Sequence, residues 1–365
     1  MTTLLIAGGG TGGHLMPALA IAAAVHHASP DIRVVLAGAE RGVEATILPT
    51  RLYPYTLLPV EPIYRRQWWR NARQPVSAWR AVAAARALLD RERPDAVVGT
   101  GGYASGPVVW SAARRGIPTA IQEQNAFPGL ATRWLAGRGR EIYLGVPEAA
   151  HRLKPGRHTA VVHTGNPITP PNRSPGFRAK ARNRFLLTGA LPVVVVTGGS
   201  QGSLAINRQV AAWIDGGGGH DVQLIWVAGK TTVEEFKRYH RPPFVQVFDF
   251  LDPMAEAWAV ADLVVARAGM MTIAELCAWG IPSVLIPLPT AAADHQTANA
   301  VALAEAGAAV HLPQASLKRG VLGAEIERLV GDGVIRTKLA ECALSRGKPE
   351  AAAEIAARIV ALAGS

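Results

Sequence analysis

The stretch from Thr3 to His14 constrains this chain more than any other. An apolar run of strand length, Thr3-Leu4-Leu5-Ile6-Ala7, feeds directly into Gly8-Gly9-Gly10-Thr11-Gly12-Gly13-His14. Leu15, Leu19, Ala22 and Ala23 then recur at helical spacing. Glycines at such a turn accept positive φ and let the backbone approach a ligand closely. The helix that follows offers free N–H groups and the positive end of its dipole, which suits a diphosphate. A tight strand-to-helix turn that binds nothing shares this local sequence. His14 favours the ligand reading, because it sets a titratable ring beside the anion site.

Ile32-Arg33-Val34-Val35-Leu36-Ala37-Gly38 reads as a second strand, completing the βαβ unit of a parallel sheet. A dinucleotide site needs an acid at the end of that strand to hold a ribose. Glu40 lies beyond Gly38-Ala39, and the glycine run is not GxGxxG, so the pattern disfavours NAD. Ala96-Val97-Val98-Gly99 leads into a second glycine loop, Thr100-Gly101-Gly102-Tyr103-Ala104-Ser105-Gly106-Pro107. Pro118-Thr119-Ala120-Ile121 ends in Gln122-Glu123-Gln124-Asn125, polar residues where open parallel sheets place ligands. Gly165-Asn166-Pro167 and Pro170-Pro171 read as a linker.

Past the linker the opening motif returns in outline. Val193–Val196 is an unbroken apolar run, the mark of a strand buried on both faces, and Thr197-Gly198-Gly199-Ser200-Gln201-Gly202-Ser203 is its glycine loop. A helix from about Leu204 follows, and Leu224–Val227, Val245–Val247, Leu263–Ala266 and Val284–Pro287 continue the sheet. A helix from about Met271 carries Glu275 near its first turn. There a carboxylate either complements the helix dipole or accepts hydrogen bonds from a ribose diol. Asp294-His295-Gln296 occupies a later loop, and the alanine-rich tail from Glu350 to Leu362 is helical. The expected class is α/β, with two doubly wound, Rossmann-like domains facing each other across a cleft.

A length of 365 residues agrees with two domains. No apolar run approaches the about 18 residues of a transmembrane helix. The opening residues lack a basic start and are broken by glycines, so a signal peptide is not expected. Cys277 and Cys342 are the only cysteines, which leaves no disulfide framework or zinc pattern and points to the cytoplasm. The net charge of +11 calls for an anionic partner: nucleic acid, a membrane surface or a phosphorylated substrate. Between Arg65 and Arg80, five arginines and three tryptophans occur with no acid. That mixture suits a bilayer interface, while an exposed helix with inward tryptophans is the plainer alternative. A nucleic-acid surface lacks any accompanying module. No Asp-x-Asp, HExxH or spaced Cys/His set suggests a metal, and the missing GxxxxGK[ST] excludes a P-loop NTPase. Glycine loops and helix N-termini then neutralise the anion, which is adequate for a UDP leaving group.

Six ordered segments carry a family resemblance. They are GGGTGGH at Gly8–His14, GGYASGP at Gly101–Pro107, EQN at Glu123–Asn125, GNP at Gly165–Pro167, GGSQGS at Gly198–Ser203 and DHQTANA at Asp294–Ala300. Together they resemble the MurG family of bacterial GT-B glycosyltransferases. The resemblance implies transfer of N-acetylglucosamine (GlcNAc) from UDP-GlcNAc to the muramyl 4-hydroxyl of lipid I, with inversion and without a cofactor. It implies a peripheral place on the cytoplasmic side of the cell membrane. The partners it implies are UDP-GlcNAc, lipid I, an anionic membrane surface and cell-wall synthesis proteins, with no nucleic acid. Residues 1–164 would form the acceptor and membrane-docking domain, residues 165–346 the UDP-GlcNAc domain, and a helix at about 347–365 would pack back on the first.

Position by position, the donor would meet Thr11, Gly12, Gly13, Asn125, Ser200, Leu251, Met270, Met271, Thr272, Ile273, Ala274, Glu275 and Gln296. Glu275 would hold the ribose, Ser200 and its loop the diphosphate, Leu251 the uracil and Gln296 the sugar. Gly102, Tyr103 and Ser105 would face the acceptor. His14 would be the general base, kept neutral by the helix N-terminus, against the alternative that it only hydrogen-bonds the glycine turn. The chain departs from the family at Gln122, often His, at Thr169, often Arg, and at Met270, usually Ala. A GT-B transferase with another lipid or aglycone acceptor is the nearest rival, and a non-catalytic nucleotide-sugar-binding subunit a distant one.

Overall fold

The computed structural model describes residues 1–10, 12–61, 74–199, 201–291 and 294–364. Thr11, Ser200 and the basic run Arg65–Arg73 lie outside the described residues. The chain divides into two compact units, Met1–Thr169 with Lys348–Ser365, and Pro170–Gly347.

The first unit alternates strand and helix: β1 (Thr3–Gly9), α1 (Gly12–Ala28), β2 (Arg33–Ala39), α2 (Glu44–Ile47), β3 (Tyr55–Leu58), α3 (Gln74–Glu92), β4 (Ala96–Gly101) and α4 (Gly102–Arg114). It continues with β5 (Thr119–Glu123), α5 (Leu130–Leu135), β6 (Glu141–Leu144) and β7 (Ala160–His163). Its sheet has the order β3-β2-β1-β4-β5-β6-β7, with every pairing parallel. The side chains of β1 alternate between two cores. Leu5 and Ala7 join Val97 and Val108 on one face, while Leu4 and Ile6 join Leu15, Ile21 and Ile355 on the other. That double cover is why the strand is apolar throughout.

The second unit holds α6 (Pro175–Arg184), β8 (Val193–Thr197), α7 (Leu204–Asp215), β9 (Gln223–Val227), α8 (Val233–Phe236), β10 (Val245–Phe248), α9 (Ala255–Trp258), β11 (Leu263–Ala266) and α10 (Met270–Trp279). β12 (Ser283–Leu285), α11 (His295–Glu305), β13 (Val310–His311), α12 (Val321–Gly331) and α13 (Gly333–Arg346) complete it. Its parallel sheet has the order β10-β9-β8-β11-β12-β13 around a core that includes Val194, Val196, Ile206, Trp226 and Val265. Both sheets reverse their winding beside the opening strand, between β1 and β4 and between β8 and β11. Doubly wound sheets bind ligands at such points, beyond the carboxyl ends of the strands.

The final helix, α14 (Ala351–Ala363), belongs to the first unit. Ala352, Ile355, Ala356 and Ile359 form its buried stripe against α1, and Arg358 meets Glu141 at 3.3 Å. The segment read as a linker at Gly165 is also part of this unit. The Gly165 N–H donates to the Leu144 carbonyl at 3.0 Å, extending the pattern of the sheet. Asn166 is buried, with Nδ2 donating to the Gln124 carbonyl at 3.1 Å and Oδ1 accepting from Gln122 at 2.9 Å. The division therefore falls after Thr169 rather than after Thr164. No helix among the described residues is long and apolar enough to cross a membrane.

Candidate active site

At the switch point of the first sheet the two glycine turns touch. Gly9 and Gly102 form an isolated parallel bridge. Gly102 has φ +75°, and a Cβ there would lie 1.7 Å from the Gly9 carbonyl oxygen, so only glycine closes this junction. The Tyr103 ring covers Gly10, where an added Cβ would lie 2.2 Å from Cε1.

His14 stands on the first turn of α1 beside this junction. Its Nδ1 lies 3.1 Å from the Thr100 carbonyl and 3.1 Å from Gln124 Oε1. The Gln124 amide nitrogen donates to the Thr100 carbonyl at 2.7 Å and to Gln122 Oε1, which turns its oxygen toward His14. Both neighbours of Nδ1 are thus acceptors, so the neutral ring carries its proton on Nδ1 and its lone pair on Nε2. The Thr100 hydroxyl donates to the His14 carbonyl at 2.8 Å, tying the helix start to β4 as well.

Gly12 is partly exposed and Gly13 exposed at the same helix start. Asn125 is partly exposed, and its backbone N–H and Nδ2 donate to Glu123 Oε1 at 3.0 and 3.2 Å. Ser105 is buried, and its hydroxyl donates to the Gly102 carbonyl at 3.2 Å, so the side chain shapes the turn. The departure at Gln122 is fully buried beneath Gln124 and braces it through Asn166. Glu44 has no counterpart in the sequence reading. It is fully buried in space left by Gly9, Gly38 and Gly42, and Oε1 accepts the Gly10 N–H at 2.6 Å. Its Oε2 has no hydrogen-bond partner among the described residues, and burial raises the carboxyl pKa.

In the second unit, Gly202 has φ +83°, and a Cβ there would lie 2.1 Å from the Ala228 carbonyl. The turn from Gly198 therefore rests directly on backbone. Ser203 caps α7 by accepting the Ile206 N–H at 3.4 Å. Leu251 is buried. Glu275 lies in the second turn of α10, which carries no acid in its first turn, so dipole complementation does not explain it. Trp258 Nε1 donates to Glu275 Oε2 at 3.0 Å, and burial pushes the carboxyl up to about 7. Helical geometry splits the expected run: Met270 and Ile273 are buried, while Met271, Thr272, Ala274 and Glu275 are partly exposed. Gln296 Oε1 accepts the Leu288 N–H at 2.9 Å. Thr169 is exposed at the end of the first unit. Among the described residues, no three His, Cys, Asp or Glu side chains gather in a way that could hold a metal ion.

Comparison with known proteins places these features. Residues 4–144 match the glycosyltransferase family 28 N-terminal domain, and residues 193–355 match the family 28 C-terminal domain. A relative from Prosthecochloris aestuarii is 38% identical over 99% of each chain. One from Halorhodospira halophila is 40% identical over 97% of this chain and 96% of its own. Both are named UDP-N-acetylglucosamine–N-acetylmuramyl-(pentapeptide) pyrophosphoryl-undecaprenol N-acetylglucosamine transferase. The crystal structure of Acinetobacter baumannii MurG superposes with a TM-score of 0.76 at 27% identity, covering 99% of this chain and 100% of that one. The calicheamicin glycosyltransferase CalG4, at 15% identity and a TM-score of 0.66, shares the fold alone. Two Rossmann-like domains of the GT-B type, with this identity over nearly the whole length, show that the chain belongs to the MurG family of glycosyltransferase family 28.

Proposed function

We infer that this chain transfers GlcNAc from UDP-GlcNAc to the muramyl 4-hydroxyl of lipid I, with inversion, giving lipid II and UDP for peptidoglycan synthesis. The observation that carries the reading is the near full-length identity to relatives named for that reaction. The His14 geometry supports it. A ring held through Nδ1–H by two carbonyl oxygens keeps a basic Nε2, as a general base requires. In this mechanism Nε2 takes the proton of the acceptor hydroxyl as its oxygen bonds to the sugar's anomeric carbon. The carbon–oxygen bond to the β-phosphate breaks on the opposite face, and UDP departs with the electron pair. Glycine turns and helix N-termini stabilise the charge that collects on the diphosphate.

The remaining residues take roles on either substrate. Thr11, Gly12, Gly13 and Asn125 meet the donor, Gly12 and Gly13 from the helix start that carries the base. Gly102 and Tyr103 face the acceptor, and Ser105 supports them from beneath. Ser200 and its turn hold the donor diphosphate, Leu251 the uracil, Gln296 the sugar, and the partly exposed edge of α10 ending at Glu275 the ribose. Transfer of radiolabelled GlcNAc from its UDP donor to a lipid I analogue tests the reading, with His14→Ala as control. Absence of transfer by the wild-type chain would overturn it, and equal transfer to unrelated lipids would favour another acceptor.

Docking at the cytoplasmic membrane surface fits a second group of residues. Trp110 and Trp134 stack with centroids 6.4 Å apart, and Arg114 and Arg138 each lie 5.3 Å from one of those rings. Trp134 and Leu130 are each 53% exposed, and Trp79 is 71% exposed. Aromatic rings with flanking guanidinium groups suit an anionic bilayer interface, and the exposure of Trp79 disfavours an inward-packed tryptophan there. Arg65–Arg73 of the basic tryptophan run lie outside the described residues.

A further inference from the structure

A charge buried in a fold ordinarily has an opposite charge beside it, because an unpaired ion is costly in a low-dielectric interior. Arg267, which is partly buried, does not follow that rule. Its guanidinium extends from the end of β11 and, among the described residues, bonds only to neutral oxygens. Nη1 donates to the carbonyls of Ile286 and Pro287 at 3.1 and 2.9 Å, and Nη2 donates to Ser203 Oγ and Gln314 Oε1 at 2.7 and 2.6 Å. Nε is buried without a hydrogen-bond partner among the described residues. Burial pushes the pKa down to about 10, and no acid among the described residues opposes it.

These acceptors satisfy the donors without cancelling the charge, so the positive potential extends into the surroundings. Those surroundings are the Gly198–Ser203 turn of the second unit. Ala266 is in register with Thr197, which sets Arg267 beside Gly198. Ser203, which the guanidinium grips, caps the N-terminus of α7. A fixed cation and a helix N-terminus thus converge behind one loop.

We propose that Arg267 is the built-in counter-charge for the donor's diphosphate, a positioning residue that acts through the Gly198–Ser203 turn without touching the nucleotide. The proposal rests on the donor-site reading above. As the sugar–phosphate bond breaks, negative charge gathers on the β-phosphate, and a cation already held in place stabilises it without reorganising.

Binding of uridine, UMP and UDP to the full chain, measured by calorimetry, tests this in wild type, Arg267→Gln and Arg267→Lys. Uridine affinity is expected to stay within about twofold in all three, because uridine carries no charge to sense. Arg267→Gln should weaken UDP roughly 10- to 100-fold and UMP less, while Arg267→Lys should restore most of the preference for UDP. A residue that merely ties four acceptors together would lose uridine and UDP alike in both variants, and that result overturns the proposal. Should Arg267→Gln fail to melt cooperatively, folded Arg267→Lys decides: a retained UDP-over-uridine ratio supports the proposal and a lost one overturns it. Wild-type protein that binds uridine as tightly as UDP overturns the donor-site reading and this inference with it. A wild-type preference for UDP that survives intact in Arg267→Gln overturns the inference alone.

Discussion

If Glu275 holds the ribose as proposed, nucleoside binding is sensitive to pH near neutrality. Its carboxyl receives an indole N–H from Trp258 and is pushed up to about 7 by burial. Two ribose hydroxyls donate best to an ionised carboxylate, so binding must draw on the ionised fraction. With a pKa of about 7 that fraction is about ten-elevenths at pH 8 and about one-eleventh at pH 6. Uridine affinity should therefore fall about tenfold between those pH values, or ~1.4 kcal/mol. Calorimetry with uridine isolates the effect, since uridine has no phosphate that titrates in this range. Glu275→Gln should bind more weakly and show a flat profile. A flat profile in the wild type, or an equal slope in Glu275→Gln, would refute the reasoning. The same shift bears on folding. The folded-state value lies above the ordinary 4.5, so as pH rises the unfolded chain releases this proton first. The stability that Glu275 contributes in the ligand-free protein is present in full below about pH 4.5. It is lost as pH climbs through about 7, by at most about 3.4 kcal/mol.

Other perturbations address the first unit. His14→Ala should lower kcat roughly 10²–10⁴-fold in the lipid I assay while leaving UDP affinity unchanged, and a near-normal kcat would remove the ring from the base role. Gly102→Ala sets a methyl 1.7 Å from the Gly9 carbonyl in a left-handed conformation, and urea titration should show a loss of more than about 2 kcal/mol. Wild-type stability in that variant would mean the junction can open without cost. Trp110→Ala with Trp134→Ala should reduce sedimentation with anionic vesicles several-fold and spare turnover of a soluble acceptor analogue. Unchanged sedimentation would move the docking surface elsewhere.

Much of the fold is written locally. Leu263–Ala266 forms β11 over the same residues, and Val193–Val196 lies within β8, because strands covered on both faces read as unbroken apolar runs. β7 gives no such signal. It is an edge strand with Ala160 and Val161 exposed, so burial imposes no pattern on it. The glycine turns are legible because a need for positive φ is expressed in residue type. Glu44 and Arg267 are not, since an isolated Glu or Arg is ordinarily solvated and only three-dimensional packing shows these two enclosed. Gln124 stands between these cases. Its place at a strand end marks it as near a ligand, but its task of fixing the His14 tautomer depends on a partner far away in sequence.

The last helix gives the protein a direction in time. During synthesis α1 emerges early, yet the surface it shares with Ile355 and Ile359 stays open until the second unit has been made. Each of those isoleucines contributes about 1.5–3 kcal/mol when buried, a large part of the stability of a typical domain. A chain that stops short therefore leaves its first sheet unsealed and displays an apolar face for quality control to find. The sheet that begins at Thr3 is closed by a helix that follows the whole second unit in the chain.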